Sequence, residues 1–343
     1  MPLSALRFTA SARLLLTLMF AIVSLTAAGC AVHKTVEVPK PLTPLADASA
    51  PQLIAEVNRL ATARSIHGKV DIQFEDTSFA TSGIAEKYRT ADGTITLQRP
   101  GKIYLVIQVP LLAADVAQMT SDGEHFRIAI LKGDEQYRRF VSGTNSAVYA
   151  KLEPDSTVDK RNRPDKEAQT VSALSNLRPQ HLTDAMLIRS IMPPSGLMYA
   201  KTEFFQEEKD PNPTSKKRVM RGYYLLDELQ PAGEGAANLL RRFWFDRVGG
   251  LRLSRLQTFD EHGSLVTDVS YGEITSFGEQ GSMQLPARID LTRPQDRYRI
   301  TITYQSPSSV TLDHDYPPEA FVLPNKWQLK EVDLDAQKKN PQP

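Results

Sequence analysis

The segment GTITLQRPGKIYLVIQV, Gly93–Val109, reads as two β-strands joined by a tight turn. In the first strand Ile95 and Leu97 alternate with threonine, so the apolar side chains share one face. The second strand continues this period of two, with apolar residues at Ile103, Leu105 and Ile107. The segment therefore predicts an antiparallel hairpin with one apolar face.

The connection between these strands has the composition of a turn, Arg99-Pro100-Gly101. Proline presets one backbone angle of a turn, and glycine accepts the positive φ that many turns require. A second turn follows at Ser121-Asp122-Gly123. Short strands separated by such turns indicate an antiparallel meander.

The same alternation returns near the end of the chain. Tyr298, Ile300 and Ile302 alternate with arginine and threonine, which predicts one face buried and one in water. The fold class that follows is mainly β with a few helices.

Two segments carry the 3.6-residue period of amphipathic helices. Ser49 is placed to cap a helix that begins near Pro51, and Thr183 to cap a second one that runs to Met192. The second helix contains the apolar residues Leu187, Ile188 and Ile191. It either belongs to an ordinary core or forms a displaceable plug over an apolar cavity.

The N-terminus has the layout of a secretory signal. Arg7 and Arg13 precede an apolar run from Leu14 to Leu25, which is short for a membrane span. The single cysteine, Cys30, follows Ala27-Ala28-Gly29. This arrangement resembles the bacterial lipoprotein signal, although that signal usually has leucine where Ala27 stands. The resemblance implies cleavage before Cys30 and acylation of that residue.

These patterns divide the chain into four parts. Residues 1–29 are the expected signal peptide, and residues 30–48 the acylated cysteine with an extended, proline-containing tether. Residues 49–305 form the main domain, with an insertion at about 143–180. Residues 306–343 are an irregular C-terminal tail.

Composition excludes several classes of function. The 41 Lys and Arg residues balance the 40 Asp and Glu residues, which argues against a nucleic-acid-binding protein. One cysteine cannot form a disulfide within the chain, and the six histidines show no metal-ligand spacing. The sequence has no phosphate-binding loop and no nucleophile elbow. It predicts a protein that is not an enzyme and needs no cofactor or metal, with an unrecognised hydrolase as the alternative.

The hairpin, a strand ending in Val109-Pro110-Leu111-Leu112, and the Ser-Asp-Gly turn together resemble the bacterial lipoprotein-sorting (LolA/LolB-like) family. The resemblance covers about residues 50–305. It implies an incomplete antiparallel β-barrel whose concave face is plugged by helices and receives acyl chains. The implied cavity lining is Ile103, Leu105, Ile107, Leu187, Ile188, Ile191, Tyr298, Ile300 and Ile302.

The resemblance also assigns individual residues. Pro110, Leu111 and Leu112 occupy the place of the receptor's loop for insertion into a membrane or lipid, with packing at a strand end as the alternative. Arg99 corresponds to an arginine of the carrier's turn, with local pairing as the alternative.

The implied function is that of a lipid-anchored protein on the periplasmic side of the outer membrane. It would bind acyl chains and help to receive or insert lipoproteins, with a periplasmic lipoprotein carrier as a possible partner. The alternatives are a carrier or sensor of another lipid and a structural envelope lipoprotein.

Overall fold

The computed structural model describes residues 38–77, 86–87, 90–109, 114–133, 135, 138–147, 149, 177–192, 196–233 and 235–339. Contacts divide the chain into two units, Met1–Lys40 and Pro41–Pro343. Residues 38–40 are the described part of the first unit. The sequence features at Cys30 and at 110–112 lie outside the described residues.

The described residues are mainly in strands. The strands are β1 Lys40–Pro41, β2 Ser65–Asp76, β3 Glu86–Lys87, β4 Ala91–Gln98, β5 Lys102–Gln108, β6 Asp115–Ser121, β7 His125–Ile130, β8 Arg139–Thr144, β9 Met198–Lys209, β10 Arg218–Gly233, β11 Ala236–Asp246, β12 Arg252–Phe259, β13 Leu265–Tyr271, β14 Ile274–Phe277, β15 Met283–Pro286, β16 Arg288–Arg293, β17 Tyr298–Tyr304, β18 Thr311–Leu312 and β19 Lys330–Asp333.

Helices are few in the described part of the chain. The α-helices are α1 Ala50–Leu60, α2 Pro179–Met186 and α3 Leu334–Lys339, and the 3₁₀ turns are Glu279–Gly281, Pro307–Ser309 and Pro318–Phe321. Of the helices described, none combines the length and apolar character needed to cross a membrane.

One large sheet organises the unit. Antiparallel pairs run from β9 through β10, β11, β12, β13, β16 and β17 to β2, and from there through β4, β5, β6 and β7 to β8. β19 joins β8 in parallel, so the sheet is mixed. The sheet does not close into a barrel. The expectation of a mainly β protein with an incomplete barrel is confirmed.

The hairpin predicted for Gly93–Val109 forms, with β4 and β5 as its two strands. In the β4–β5 register Leu97 pairs with Ile103 and Ile95 with Leu105. Gly93 pairs with Ile107, and a Cβ atom at Gly93 would lie 2.8 Å from both the Ile72 side chain and the Val106 carbonyl oxygen. Glycine therefore lets β4 pack closely between its neighbours.

The sheet has an inner face, defined as the face whose side chains form the main core. Buried residues from distant strands, such as Phe126 of β7 and Phe243 of β11, belong to that one cluster. Side chains of α1 and α2 belong to it as well. The helices therefore lie on the inner face and share its core.

Helix α1 begins where the sequence predicts. The Ser49 backbone N–H donates to Gln52 Oε1 at 2.8 Å, which is half of a capping box. Leu53 and Val57 are buried on one face of the helix. The amphipathic interpretation is confirmed.

Helix α2 differs from its prediction. It begins at Pro179 and ends at Met186, so Thr183 lies inside it and the next residues are not helical. Proline suits the first helical position because it lacks an N–H to satisfy. The carbonyl groups of Leu187 and Ile188 bond to a side chain from another part of the chain, and these contacts replace further helical turns.

Both ends of the unit contact the sheet. The Leu42 N–H donates to the Met220 carbonyl at 2.9 Å, so this residue of the expected tether lies against β10. The chain after residue 305, expected to be irregular, adds β18 beside β2 and β19 beside β8. Tertiary contacts thus order segments that have no regular pattern of their own.

Candidate functional site

The nine predicted lining residues lie together in the main core. Three come from β5, three from β17 and three from the segment after α2, and all are buried. The structure thus brings the inner face of two strands against the chain that follows α2. A role in lining an acyl site stays a prediction for these residues.

The helices cover this apolar surface with short buried stripes. Leu53, Val57 and Leu60 of α1 face the core, as do Leu182 and Ala185 of α2. Helix α1 buries three residues and α2 buries four, so both helices contribute side chains to the core.

Arg99 ties the ends of both helices together. Its Nε donates to the carbonyl of Ala63, just after α1, at 2.8 Å. Its Nη2 donates to the carbonyl of Ile188, just after α2, at 2.8 Å, and Nη1 to that of Leu187 at 3.3 Å. Burial lowers the pKa of Arg99 from its usual value, and the guanidinium remains charged. A cation at two helix C-termini is also favoured by the helix dipoles.

Asn58 forms a second polar connection between α1 and the chain after α2. Its Nδ2 donates to the Ile191 carbonyl at 2.9 Å, and its Oδ1 accepts from the Ile191 N–H at 2.7 Å. The amide side chain thus satisfies both backbone groups of one residue. Because the residues are 133 positions apart, no sequence pattern signals this contact.

Two tyrosines fasten α2 to the sheet. Tyr271 donates its hydroxyl to the Ala185 carbonyl at 2.9 Å. The Tyr298 hydroxyl lies 2.9 Å from Nδ1 of His181. Burial, with Arg293 and Arg178 nearby, lowers the pKa of His181 to about 3, so this imidazole is neutral at ordinary pH. The sequence places Tyr298 on the apolar face but does not indicate its partner.

The apolar space left beneath the helices is small. A cavity of about 20 Å³ lies between α1, the end of α2 with the chain after it, and strands β2, β13, β15, β16 and β17. It is lined by Leu60, Ile66, Met186, Ile188, Tyr271, Leu285, Pro286, Ile289 and Tyr304. The volume is close to that of one water molecule. Hydrocarbon can therefore enter here only if a helix moves.

A second cavity, of about 600 Å³, opens on another side of α2. It shares no lining residue with the small apolar one. Its ionisable lining residues are His181, Asp184, Arg189, Glu228, Arg241 and Arg293. Its apolar ones include Leu240, Leu256, Phe259, Val266 and Val269. The resemblance implies an apolar cavity, and the larger cavity is instead lined by charged as well as apolar side chains.

The structure describes the predicted turn but not the predicted insertion loop or acylation site. Pro110, Leu111, Leu112 and Cys30 lie outside the described residues. Pro100 and Gly101 form the turn that presents Arg99, with Gly101 at a φ of +81°. In the ranges that the structure describes, no group of three or more His, Cys, Asp or Glu side chains could hold a metal ion.

Comparison with known proteins gives structural neighbours only. No family model matches the chain. No curated protein matches it either.

The chain is similar to several solved structures, at low sequence identity. A LolA superfamily protein from Nitrosomonas europaea is 11% identical with a TM-score of 0.38, covering 81% of this chain and 99% of its own. A DUF1329 family protein from Desulfovibrio piger is 12% identical with a TM-score of 0.40, and the match covers 81% of this chain and 97% of that protein. A domain described as outer membrane lipoprotein-sorting, from Vibrio parahaemolyticus, is 9% identical with a TM-score of 0.37, and the match covers 81% of this chain and 97% of that domain.

Proposed function

We propose that this protein binds acyl chains, of lipoproteins or of another lipid, on the inner face of its sheet after α1 and α2 move aside. The contacts of Arg99 are the observation that supports this most directly. One side chain holds the carbonyl groups that follow both helices. Its displacement would release the two parts of the cover together.

The polar contacts are weak enough to be exchanged for a ligand. A hydrogen bond in a folded protein contributes about 0.5–1.5 kcal/mol net, and about 1.5–3 kcal/mol when one partner is charged. Each buried methylene contributes about 0.8 kcal/mol. A long acyl chain therefore gains enough on burial to offset loss of the bonds from Arg99 and Asn58.

The inner face offers a continuous apolar surface for such a chain. Leu105 of β5 and Ile300 of β17 are both buried in the core that the helices cover. Hydrocarbon that lay along these two strands would meet aliphatic and aromatic side chains. The charged groups of the larger cavity lie beside α2, opposite strands β10 to β13 and β16.

The remaining parts of the proposal come from the sequence. Cleavage before Cys30 and acylation of that residue would anchor the protein on the periplasmic side of the outer membrane. Leu111 and Leu112 would insert into the membrane or the incoming lipid. A periplasmic lipoprotein carrier is the proposed donor. A carrier or sensor of another lipid would use the same inner face.

A structural envelope lipoprotein is the second candidate. The observation that favours it is the small apolar cavity, about 20 Å³, because an occupied inner face is also what a permanent core looks like. The two candidates differ in whether the helices ever leave the sheet.

Fluorescence anisotropy of the full chain with a dye-labelled palmitoyl peptide separates them. We expect saturable binding, and about tenfold tighter binding by Arg99→Gln, because loss of the contacts to the helix ends favours the open form. Arg218→Gln is the matched control, since this exposed arginine of β10 pairs with Glu207 of β9. Absence of binding by wild type and by a folded Arg99→Gln variant would establish the structural candidate.

A further inference from the structure

The cavity of about 600 Å³ beside α2 has the size of a small-molecule site. One wall is α2 and the turn after it, and the opposite wall is formed by β10 to β13 and β16. Its lining includes none of the nine residues predicted to line the acyl site. The charges in it are therefore free to serve a different ligand group.

One charged pair in this cavity is already satisfied. Glu228 accepts from Arg241 Nε at 2.7 Å and from Nη2 at 2.6 Å, and from the Tyr199 hydroxyl at 2.9 Å. The third nitrogen of Arg241 donates to the Arg189 carbonyl at 3.2 Å. This pair leaves neither a free carboxylate nor a free guanidinium for a ligand.

The other two arginines keep hydrogen-bonding capacity. Arg293 uses Nε for Asp296 and Nη1 for Thr267, which leaves Nη2 without a hydrogen bond to the described part of the chain. The Nε atom of Arg189 lies 3.9 Å from Asp184, which is beyond hydrogen-bond distance. The Arg189 side chain is 66% exposed and can turn toward a ligand.

Apolar side chains lie beside these cations. Leu240 of β11, Phe259 of β12 and Val266 of β13 line the same cavity and are each only partly buried. They present apolar surface that a ligand could remove from water. Guanidinium groups with spare donors suit phosphate oxygens, and the adjoining apolar wall suits an alkyl chain.

We propose that this cavity binds an anionic amphiphile, an alkyl or acyl chain that carries a phosphate group. Arg189 and Arg293 bind the phosphate, and Leu240, Phe259 and Val266 contact the first methylenes. A phospholipid head group and free phosphate share the anionic chemistry, and the apolar wall favours the lipid. The site goes beyond the proposed acyl-binding function and does not require the helices to open.

Isothermal titration calorimetry of the full chain tests this with three probes. Dodecyl phosphate and dodecyl maltoside are each used below their micelle concentration, and inorganic phosphate is the third probe. We expect dodecyl phosphate to bind at least about tenfold more tightly than either of the others, because only it has both groups. Equal affinity for the two detergents would exclude the phosphate contact. Equal affinity for dodecyl phosphate and inorganic phosphate would exclude the lipid.

Variants place the site. Arg189→Gln should weaken dodecyl phosphate binding about tenfold without unfolding the protein, since the side chain is largely exposed. Arg218→Gln is the matched control, an exposed arginine that pairs with Glu207 on β9. An equal loss in both variants, or no loss in Arg189→Gln, would overturn the proposal.

The same samples distinguish this site from the acyl site. Leu240→Glu should abolish dodecyl phosphate binding while binding of the palmitoyl peptide stays unchanged. If the palmitoyl peptide fails to bind but Arg189→Gln still weakens dodecyl phosphate, the acyl proposal fails and this one stands. Loss of both ligands in a folded Leu240→Glu variant would instead show one shared site and overturn this inference.

Discussion

The side-chain amide of Asn58 satisfies both backbone groups of Ile191, at 2.9 Å for the carbonyl and 2.7 Å for the N–H. The contact joins α1 to the chain that follows α2. Together with Arg99, it means that the two helices covering the inner face are connected by polar groups as well as by apolar packing.

Replacing Asn58 tests that connection. Asn58→Ala leaves two backbone groups of the buried Ile191 without partners, so the free energy of unfolding should fall by about 1–3 kcal/mol. The same change destabilises the form in which α1 and α2 cover the inner face, so affinity for a palmitoyl peptide should rise. Urea denaturation and anisotropy titrations measure the two effects.

The exposed Asn212 provides a control for this variant. Its side-chain oxygen accepts from the N–H and the hydroxyl of Thr214 in a surface turn, so Asn212→Ala should change neither quantity appreciably. Unchanged stability and affinity in Asn58→Ala would show that this contact does not hold the helices.

His181 should make stability depend on pH. Its pKa is lowered to about 3 in the folded protein by burial, against an ordinary value of 6.5. The unfolded chain therefore binds the extra proton between these values, and stability should fall as pH falls from about 6.5 toward about 3. The slope from this group is at most about 1.4 kcal/mol per pH unit.

Urea denaturation of wild type and His181→Gln across that window isolates the effect, because carboxylates titrate in both proteins. The difference between them should shrink as pH falls. The exposed His262 is the matched control. A constant difference, or one that matches the result for His262→Gln, would contradict a buried neutral imidazole.

Leu111 and Leu112 are expected to act at the membrane. Replacing both with glutamate should leave the thermal unfolding temperature unchanged but abolish delivery of a lipoprotein to lipid vesicles, since a carboxylate is costly in hydrocarbon. Val322→Glu is the control, because Val322 is an exposed apolar residue elsewhere in the chain. Normal delivery by the double variant would remove the loop from the proposal.

Cys30 is expected to carry the lipid. Cys30→Ser should abolish incorporation of radiolabelled palmitate and move the protein from the membrane fraction to the periplasmic extract, because the acyl chains supply the membrane affinity. Ala31→Ser, a neighbouring change that keeps the thiol, should leave both unchanged. Membrane-bound Cys30→Ser would show that another segment anchors the protein.

Much of the fold could be predicted from local patterns. The alternation in Gly93–Val109 and its central turn predict a hairpin, and β4 and β5 form that hairpin. The start of α1 is equally local, since Ser49 and Gln52 are three residues apart. Hydrophobic periodicity, turn residues and helix caps depend on residues a few positions apart, so they can be recognised without the rest of the chain.

The ends and contacts of the cover could not be predicted in this way. The pattern of residues after Thr183 suits a helix as far as Met192, yet α2 ends at Met186. There the carbonyls of Leu187 and Ile188 meet Arg99, almost 90 residues earlier in the chain. Because these carbonyl groups accept hydrogen bonds from Arg99, the helix can end there without leaving them unpaired.

The amino-acid order by itself determined the hairpin of β4 and β5, the apolar faces of β5 and β17, and where α1 begins, because those properties follow from side chains a few positions apart. Only the tertiary structure decided that Asn58 meets Ile191, that the apolar space is filled, and that the larger cavity is lined by arginines. These features depend on which distant segments come together, and that is settled by packing across the whole sheet.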